Sequence, residues 1–408
     1  ERDAHAECPD CGGLLEVVHA APDVHGAALL ARFAGRCCMH PESEASGVWR
    51  FRELVMPGAA DIVSHPEGNT PLLARESVRA FADAPSLLLK HEGHNPTGSF
   101  KDRGMTVGVT QARRIGSRAV ACASTGNTAA ALAAYGAQAG LPVLVFVPTG
   151  QVALGKLAQS LAYGAKTLLV RGDFDACLRL VQQVADELGV YLLNSINPFR
   201  VEGQKTIVLE LLQQCGWRVP DWIAFPAGNL GNTAAFGKAL AEARVLGLID
   251  RLPRLAAIQA AGAAPFALGF QEGFARRHRV TAETVATAIK IGDPASWDRA
   301  VRSIRETNGV VATVTDAEIL EAKAIVDAAG VGCEPASAAS VAGVKALRAR
   351  GIIAPEADVV AVLTGHVLKD PGALLSYHRE TEPAPAHANR PIEIEPTVAA
   401  VAAVFGRS

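Results

Sequence analysis

The sequence predicts an α/β protein of two open parallel-sheet lobes with helices on both faces, plus an N-terminal extension. Three features point there. Residues 119–123, 143–147, 166–170, 190–194, 222–225, 255–259 and 359–363 are short apolar runs rich in Val, Ile and Leu, the composition of strands buried on both faces. Amphipathic stretches at 174–188, 205–215, 233–246, 317–329 and 337–350 lie between them, with Gly at several ends where a helix C-terminus favours it. Such alternation builds parallel sheets, and this many strands exceeds one small sheet.

Residues 1–60 have a different texture, with Cys8-Pro9-Asp10-Cys11, several His and Trp49-Arg50-Phe51-Arg52-Glu53. They read as an extension with a degenerate zinc-ribbon-like start. The partner pair would be Cys37-Cys38, whose adjacency opposes placing both thiolates on one tetrahedral ion, even with His40 as a substitute ligand; no metal is expected. Cys122, Cys177, Cys215 and Cys333 fall in apolar patterns and read as core filler. Eight cysteines in 408 residues are too sparse for a disulfide framework, and no leader-like segment opens the chain, so a cytoplasmic address is expected. At the other end, the Pro-rich segment 381–386 reads as a linker before a short helix at 396–405.

With 39 basic against 41 acidic residues, the net charge of −2 excludes a polyanion-coating role. Residues 119–155 carry no Asp, Glu, Lys or Arg, but Gly126, Gly140 and Pro142 break the stretch into pieces too short to span a bilayer. Neither nucleic acid nor a membrane is an expected partner.

The chemistry concentrates at three turns. In Asn95-Pro96-Thr97-Gly98-Ser99-Phe100-Lys101-Asp102-Arg103-Gly104, Lys101 follows a Gly-Ser turn and opens a helix, whose positive end helps the amine toward its neutral, nucleophilic form. Phe100 offers a flat apolar surface beside it. Ser124-Thr125-Gly126-Asn127-Thr128 and Gly228-Asn229-Leu230-Gly231-Asn232-Thr233 each follow a predicted strand and precede a helix, the arrangement that cradles an anion. Well-capped helices are the plainer alternative for either. Gly150–Lys156 nearly matches a nucleotide P-loop, but Leu157 replaces the hydroxyl that would bind magnesium. No G-x-G-x-x-G occurs, which disfavours a dinucleotide.

These segments, in this order and with Glu67-Gly68-Asn69-Thr70-Pro71-Leu72, Glu334-Pro335-Ala336-Ser337-Ala338-Ala339-Ser340 and Leu363-Thr364-Gly365-His366, resemble the threonine synthases, fold-type II pyridoxal phosphate enzymes with a tryptophan synthase β-like fold. The resemblance runs from about Cys8 to Pro371. It implies pyridoxal 5′-phosphate as cofactor, attached to Lys101, with Phe100 against the ring. Gly228, Asn229, Leu230, Gly231 and Asn232 would hold its phosphate, Asn127 its 3′ oxygen, and Thr364 would face the pyridine nitrogen. It also implies a larger cofactor-binding lobe at 61–92 and 199–380, a smaller mobile lobe at 93–198, a C-terminal linker and helix at 381–408, and a homodimer.

The implied reaction converts O-phospho-L-homoserine and water to L-threonine and phosphate, with Lys101 moving the protons of γ-elimination and β-addition. Ser124, Thr125, Asn127 and Thr128 would take the substrate carboxylate; Ser195, Arg200 and Asn232 its phosphate, Arg offering two parallel bonds. The alternative is β-replacement or β-elimination on serine, phosphoserine or threonine. One departure stands out. Val367 replaces the Gly usual after His366, and a β-branched side chain opposes positive φ, so an altered turn near Thr364 is expected.

Overall fold

The apolar runs of the sequence become two sheets. The computed structural model describes residues 6–37, 45–124, 126–149, 154–171 and 174–405. His40, Cys38, Thr125 and the start of the P-loop-like segment, Gly150–Ala153, lie outside these residues. The chain divides into residues 1–370 and a smaller second unit, 371–408. The latter carries helices Pro371–Leu375 and Val398–Phe405, the second close to the expected terminal helix.

In chain order the strands are β1 (Leu72–Leu73), β2 (Leu88–His91), β3 (Ala119–Ala123), β4 (Val143–Pro148), β5 (Lys166–Val170), β6 (Val190–Leu192), β7 (Trp222–Pro226), β8 (Arg254–Ala260), β9 (Val310–Val314) and β10 (Val359–Leu363). One sheet has the order β1-β2-β10-β7-β8-β9, the other β5-β4-β3-β6. All neighbours are parallel except β1 and β2. β3, β7 and β10 are buried at every residue, as continuous apolar runs covered by helices should be.

Four strands depart from the sequence reading: β1, β2 and β9 were not read there, and β5 sits differently. β5 was expected to be buried on both faces, but it is an edge strand paired only with β4, and Leu169 is 61% exposed. Its Leu-Leu-Val run cannot be told from a central strand by composition alone. β9, unread in the sequence, is Val-Val-Ala-Thr-Val after Gly309 and completes the larger sheet against β8. Helix ends agree within two residues or so, with one useful shift: the helix after β3 starts at Asn127, so Asn127 and Thr128 sit in its first turn.

The N-terminal segment is packed rather than appended. Helix Gly26–Gly35 lays Leu29 and Phe33 into the core under the larger sheet, where they join Trp49, Phe51, Leu209 and Phe225. Phe33 meets Phe51 edge-on at 5.0 Å. Each such aromatic ring contributes about 2–3 kcal/mol by leaving water.

A buried ionic cluster ties this segment to the rest. Glu210, on helix Thr206–Gln214, accepts from Lys90 (2.5 Å), Arg103 (2.8 Å) and Arg50 (2.9 Å), and from the backbone N–H of Asn69 and Thr70. Arg103 also binds Glu92 through Nε at 2.7 Å and Nη2 at 2.8 Å. Burial alone would raise the pKa of Glu210; Arg103, Lys90 and Arg50 outweigh it and hold the carboxylate well below its usual range. Glu92 in turn receives Asn95 Nδ2 at 2.9 Å, so the cluster anchors the start of the turn that leads to Lys101.

Candidate active site

Lys101 is the first residue of helix Lys101–Arg114. The turn before it pairs with the end of β10: Ser99 bridges Gly365, Phe100 donates its N–H to the Thr364 carbonyl at 3.0 Å, and His366 donates to the Gly98 carbonyl at 2.9 Å. Gly98 makes the turn with φ of +86°, which a side chain would resist. Asp102 anchors the other side, accepting from the Thr97 N–H (2.7 Å) and hydroxyl (2.5 Å); burial pushes its carboxyl up to about 7 despite those bonds. The Lys101 amine lies 4.0 Å from the centre of the Phe100 ring. Desolvation, joined by the Arg200 charge and opposed by Glu334, lowers its pKa to about 7. Half of such amines are neutral at neutral pH, the form a carbonyl needs.

Across the site, β3 ends at Ala123, and Ser124, Asn127 and Thr128 follow, all partly covered. Ser124 Oγ accepts from the Gly126 N–H at 3.4 Å. Asn127 Nδ2 donates to Glu334 Oε2 at 3.0 Å. Thr125 belongs to this loop in sequence but lies outside the described residues. Thr364 is buried, its hydroxyl 3.0 Å from Ser337 Oγ and donating to Glu334 Oε1 at 3.3 Å. Val367, as a β-branched residue should, avoids positive φ, and it opens the short helical turn Val367–Lys369.

The second cradle follows β7. Leu230 takes φ of +63° to start helix Gly231–Val245, a strained conformation for a branched side chain and one typical of ligand-binding turns. A Cβ on Gly228 would lie 2.9 Å from Ile289 Cα, so only glycine lets this backbone pass. Asn229 is fixed twice, donating to Ser195 Oγ and accepting from the Ala295 N–H at 2.6 Å. Asn232 Oδ1 accepts from Gln204 Nε2 at 2.6 Å. The hydroxyl of Thr233 is buried with no hydrogen-bond partner among the described residues.

Arg200 belongs to helix Pro198–Gln204, which Asn197 caps by accepting the Phe199 N–H at 3.0 Å. A surface salt bridge is not its role: it is 1% exposed, between Gly104 of the Lys101 helix and Leu193. Nη1 donates to the Leu193 carbonyl at 3.1 Å, while Nε and Nη2 have no partner among the described residues. Burial lowers its pKa to about 10.

These residues fit a phosphorylated aldehyde cofactor. The glycine-lined helix start, with a buried hydroxyl unspent among the described residues, suits a phosphate, and a desolvated lysine with no carboxylate bonded to it among those residues suits covalent attachment. Glu334, Ser337 and Thr233 lie in segments that the sequence marks, but no role at the site was read for them there. Glu334 precedes Pro335 and reads there as an ordinary helix start; only the fold turns its side chain toward Asn127 and Thr364.

Comparison with known proteins agrees. Residues 63–365 match the family described as pyridoxal-phosphate dependent enzyme. A threonine synthase of Methanosarcina acetivorans is 46% identical over 376 residues, covering 91% of this chain and 90% of that protein. One from Synechocystis sp. is 49% identical over 312 residues, 76% of this chain and 79% of that protein. In fold, the chain is similar to the crystal structure of Escherichia coli threonine synthase, with a TM-score of 0.68 at 18% identity over 99% of this chain and 95% of that one. The chain belongs to the pyridoxal-phosphate dependent enzyme family. Within that family it falls among the threonine synthases, lyases that work with pyridoxal phosphate.

Proposed function

We propose that the chain converts O-phospho-L-homoserine and water into L-threonine and phosphate. The observation that carries the substrate choice is Arg200. A guanidinium that keeps two N–H groups unspent in a dry setting, close enough for its charge to act on Lys101, is poised for a dianion brought by the substrate. A dehydratase acting on serine has no such need. Ser195 and Asn232 complete the phosphate site, and Ser124, Thr125, Asn127 and Thr128 take the substrate carboxylate at the start of helix Asn127–Ala139.

Pyridoxal phosphate, when bound, supplies the electron sink that acidifies the substrate's carbon-bound protons. Residues 228–232 bind its phosphate through backbone N–H groups. Lys101 would anchor it, and its Nζ, with a pKa near 7, suits both removal and return of the α and β protons of the substrate. Phe100 excludes water from one side of the amine. Thr364 would offer the ring nitrogen a hydroxyl rather than a carboxylate, which would favour elimination and addition over transamination. Arg200 retains the departing phosphate while water adds at the β carbon.

The smaller lobe is assigned to 93–198 and the larger to 61–92 with 199–380. A homodimer in the cytoplasm is the assembly and address that accompany this reading; no helix among the described residues is long and apolar enough to cross a membrane. Incubation with O-phospho-L-homoserine, assaying threonine and free phosphate in equal amounts, tests the assignment. Turnover of serine to pyruvate with no threonine formed overturns it.

A further inference from the structure

Glu334 is a buried acid that the reaction above does not use. It holds the N-terminal position of helix Pro335–Ala349, yet its carboxylate makes no cap bond to that helix. Instead it spans the site. Oε2 accepts from Asn127 Nδ2 at 3.0 Å and Oε1 accepts from the Thr364 hydroxyl at 3.3 Å. Its backbone is held as well, with the Glu334 N–H donating to the Gly365 carbonyl at 3.1 Å. Room for the carboxylate is exclusive: a Cβ on Gly365 would lie 2.5 Å from Glu334 Oε1.

Donor bookkeeping gives this geometry a consequence. Ser337 Oγ accepts the Gly365 N–H at 2.9 Å, and its own proton has two acceptors in reach, Thr364 Oγ1 at 3.0 Å and the Gly365 carbonyl at 3.4 Å; the shorter contact directs it to Thr364. Thr364 has one proton. While Glu334 is ionised, Thr364 spends that proton on Glu334 and offers only a lone pair elsewhere. With Glu334 protonated, the carboxyl donates to Thr364 and frees the hydroxyl proton for another acceptor. On the opposite side, a carboxylate can only accept, so it fixes the Asn127 amide with nitrogen toward Glu334 and leaves the second Nδ2 proton available. The charges that face the carboxyl are Lys101, from its helix, and Lys369, from the turn after β10.

Resting on the cofactor reading above, we propose that Glu334 is a positioning residue for the bound cofactor, setting at once the amide orientation of Asn127 and the proton direction of the Thr364 hydroxyl. It thereby couples two contacts on different edges of the same ring. Burial raises its carboxyl above the usual range, against the Asn127 bond and the two lysines, which brings both proton arrangements within reach.

The test uses the cofactor-loaded chain and four forms: wild type, Glu334→Gln, Asn127→Ala and the double variant. Borohydride trapping on Lys101 checks the underlying reading, and apoprotein melting checks the fold. Glu334→Gln is expected to leave melting within about 3 °C of wild type. It is expected to shift the visible band of the bound cofactor, abolish that band's pH dependence, and weaken cofactor binding about tenfold. In the double variant the loss should match that of the larger single change, because the Asn127 amide already depends on Glu334. Additive losses, or a Glu334→Gln spectrum like wild type at every pH, with Lys101 still trapped, overturn the assignment alone. Failure to trap Lys101 in the wild-type chain overturns the cofactor reading and this assignment with it.

Discussion

The most consequential single group is an amine whose pKa is lowered from 10.5 to about 7. Between those limits the folded chain keeps Lys101 neutral while the unfolded chain keeps it charged. The unfolded state then binds more protons, so this group's contribution to stability rises as pH climbs through that window and is lost as pH falls toward 7. The apoprotein should therefore gain melting temperature from pH 7 to 10 relative to Lys101→Met; a constant difference between the two removes this account. Lys101→Ala should abolish threonine formation while the circular dichroism spectrum is unchanged. For Arg200→Ala, phosphate and O-phospho-L-homoserine binding should weaken about tenfold or more, from lost charge-assisted bonds, with cofactor affinity little altered. Equal loss of both would contradict the roles given to Arg200. Lys101 could be picked out beforehand because it sits in a dense run of Gly, Ser, Asn and Pro, and Arg200 because its segment 194–200 resembles the family's. Glu334 stood in a recognised segment without a role, since an acid before a proline reads as an ordinary helix start.

At the scale of elements, glycine-rich turns between strand and helix were readable because close backbone approach leaves a compositional mark. The turn after β7 shows the cost of violating it. Gly228→Ala puts a methyl 2.9 Å from Ile289 Cα, and cofactor affinity should fall at least about tenfold by equilibrium dialysis, with a lower melting temperature as well. Unchanged affinity would mean that this turn is not the phosphate cradle. Strand burial was less readable. β5 and β7 both read as buried apolar runs, but β7 lies inside its sheet and β5 at an edge, a difference made by neighbours far away in sequence. β9 escaped for a simpler reason: its five residues follow helix Trp297–Glu306 closely, with only Asn308-Gly309 to mark the boundary.

At the scale of the whole molecule, charge burial replaces local pattern. Arg50, Lys90, Arg103 and Glu210 are scattered over 160 positions and look in sequence like ordinary surface residues, yet they meet around one carboxylate. Glu210→Ala would leave buried Lys90 and Arg50 without their carboxylate and Arg103 with Glu92 alone, and should cost about 3–5 kcal/mol, read as a lower urea midpoint. A midpoint within experimental error of wild type would show that the cluster is hydrated or redundant. The pairing of Ser99 with Gly365 carries a different lesson, one about time. The reactive amine is made early, but the strand end that shapes its turn is among the last parts of the first unit to leave the ribosome. A nascent chain halted before residue 363 would own the lysine without the backbone that aims it. The turn that presents Lys101 is then incomplete until this distant strand end has been made.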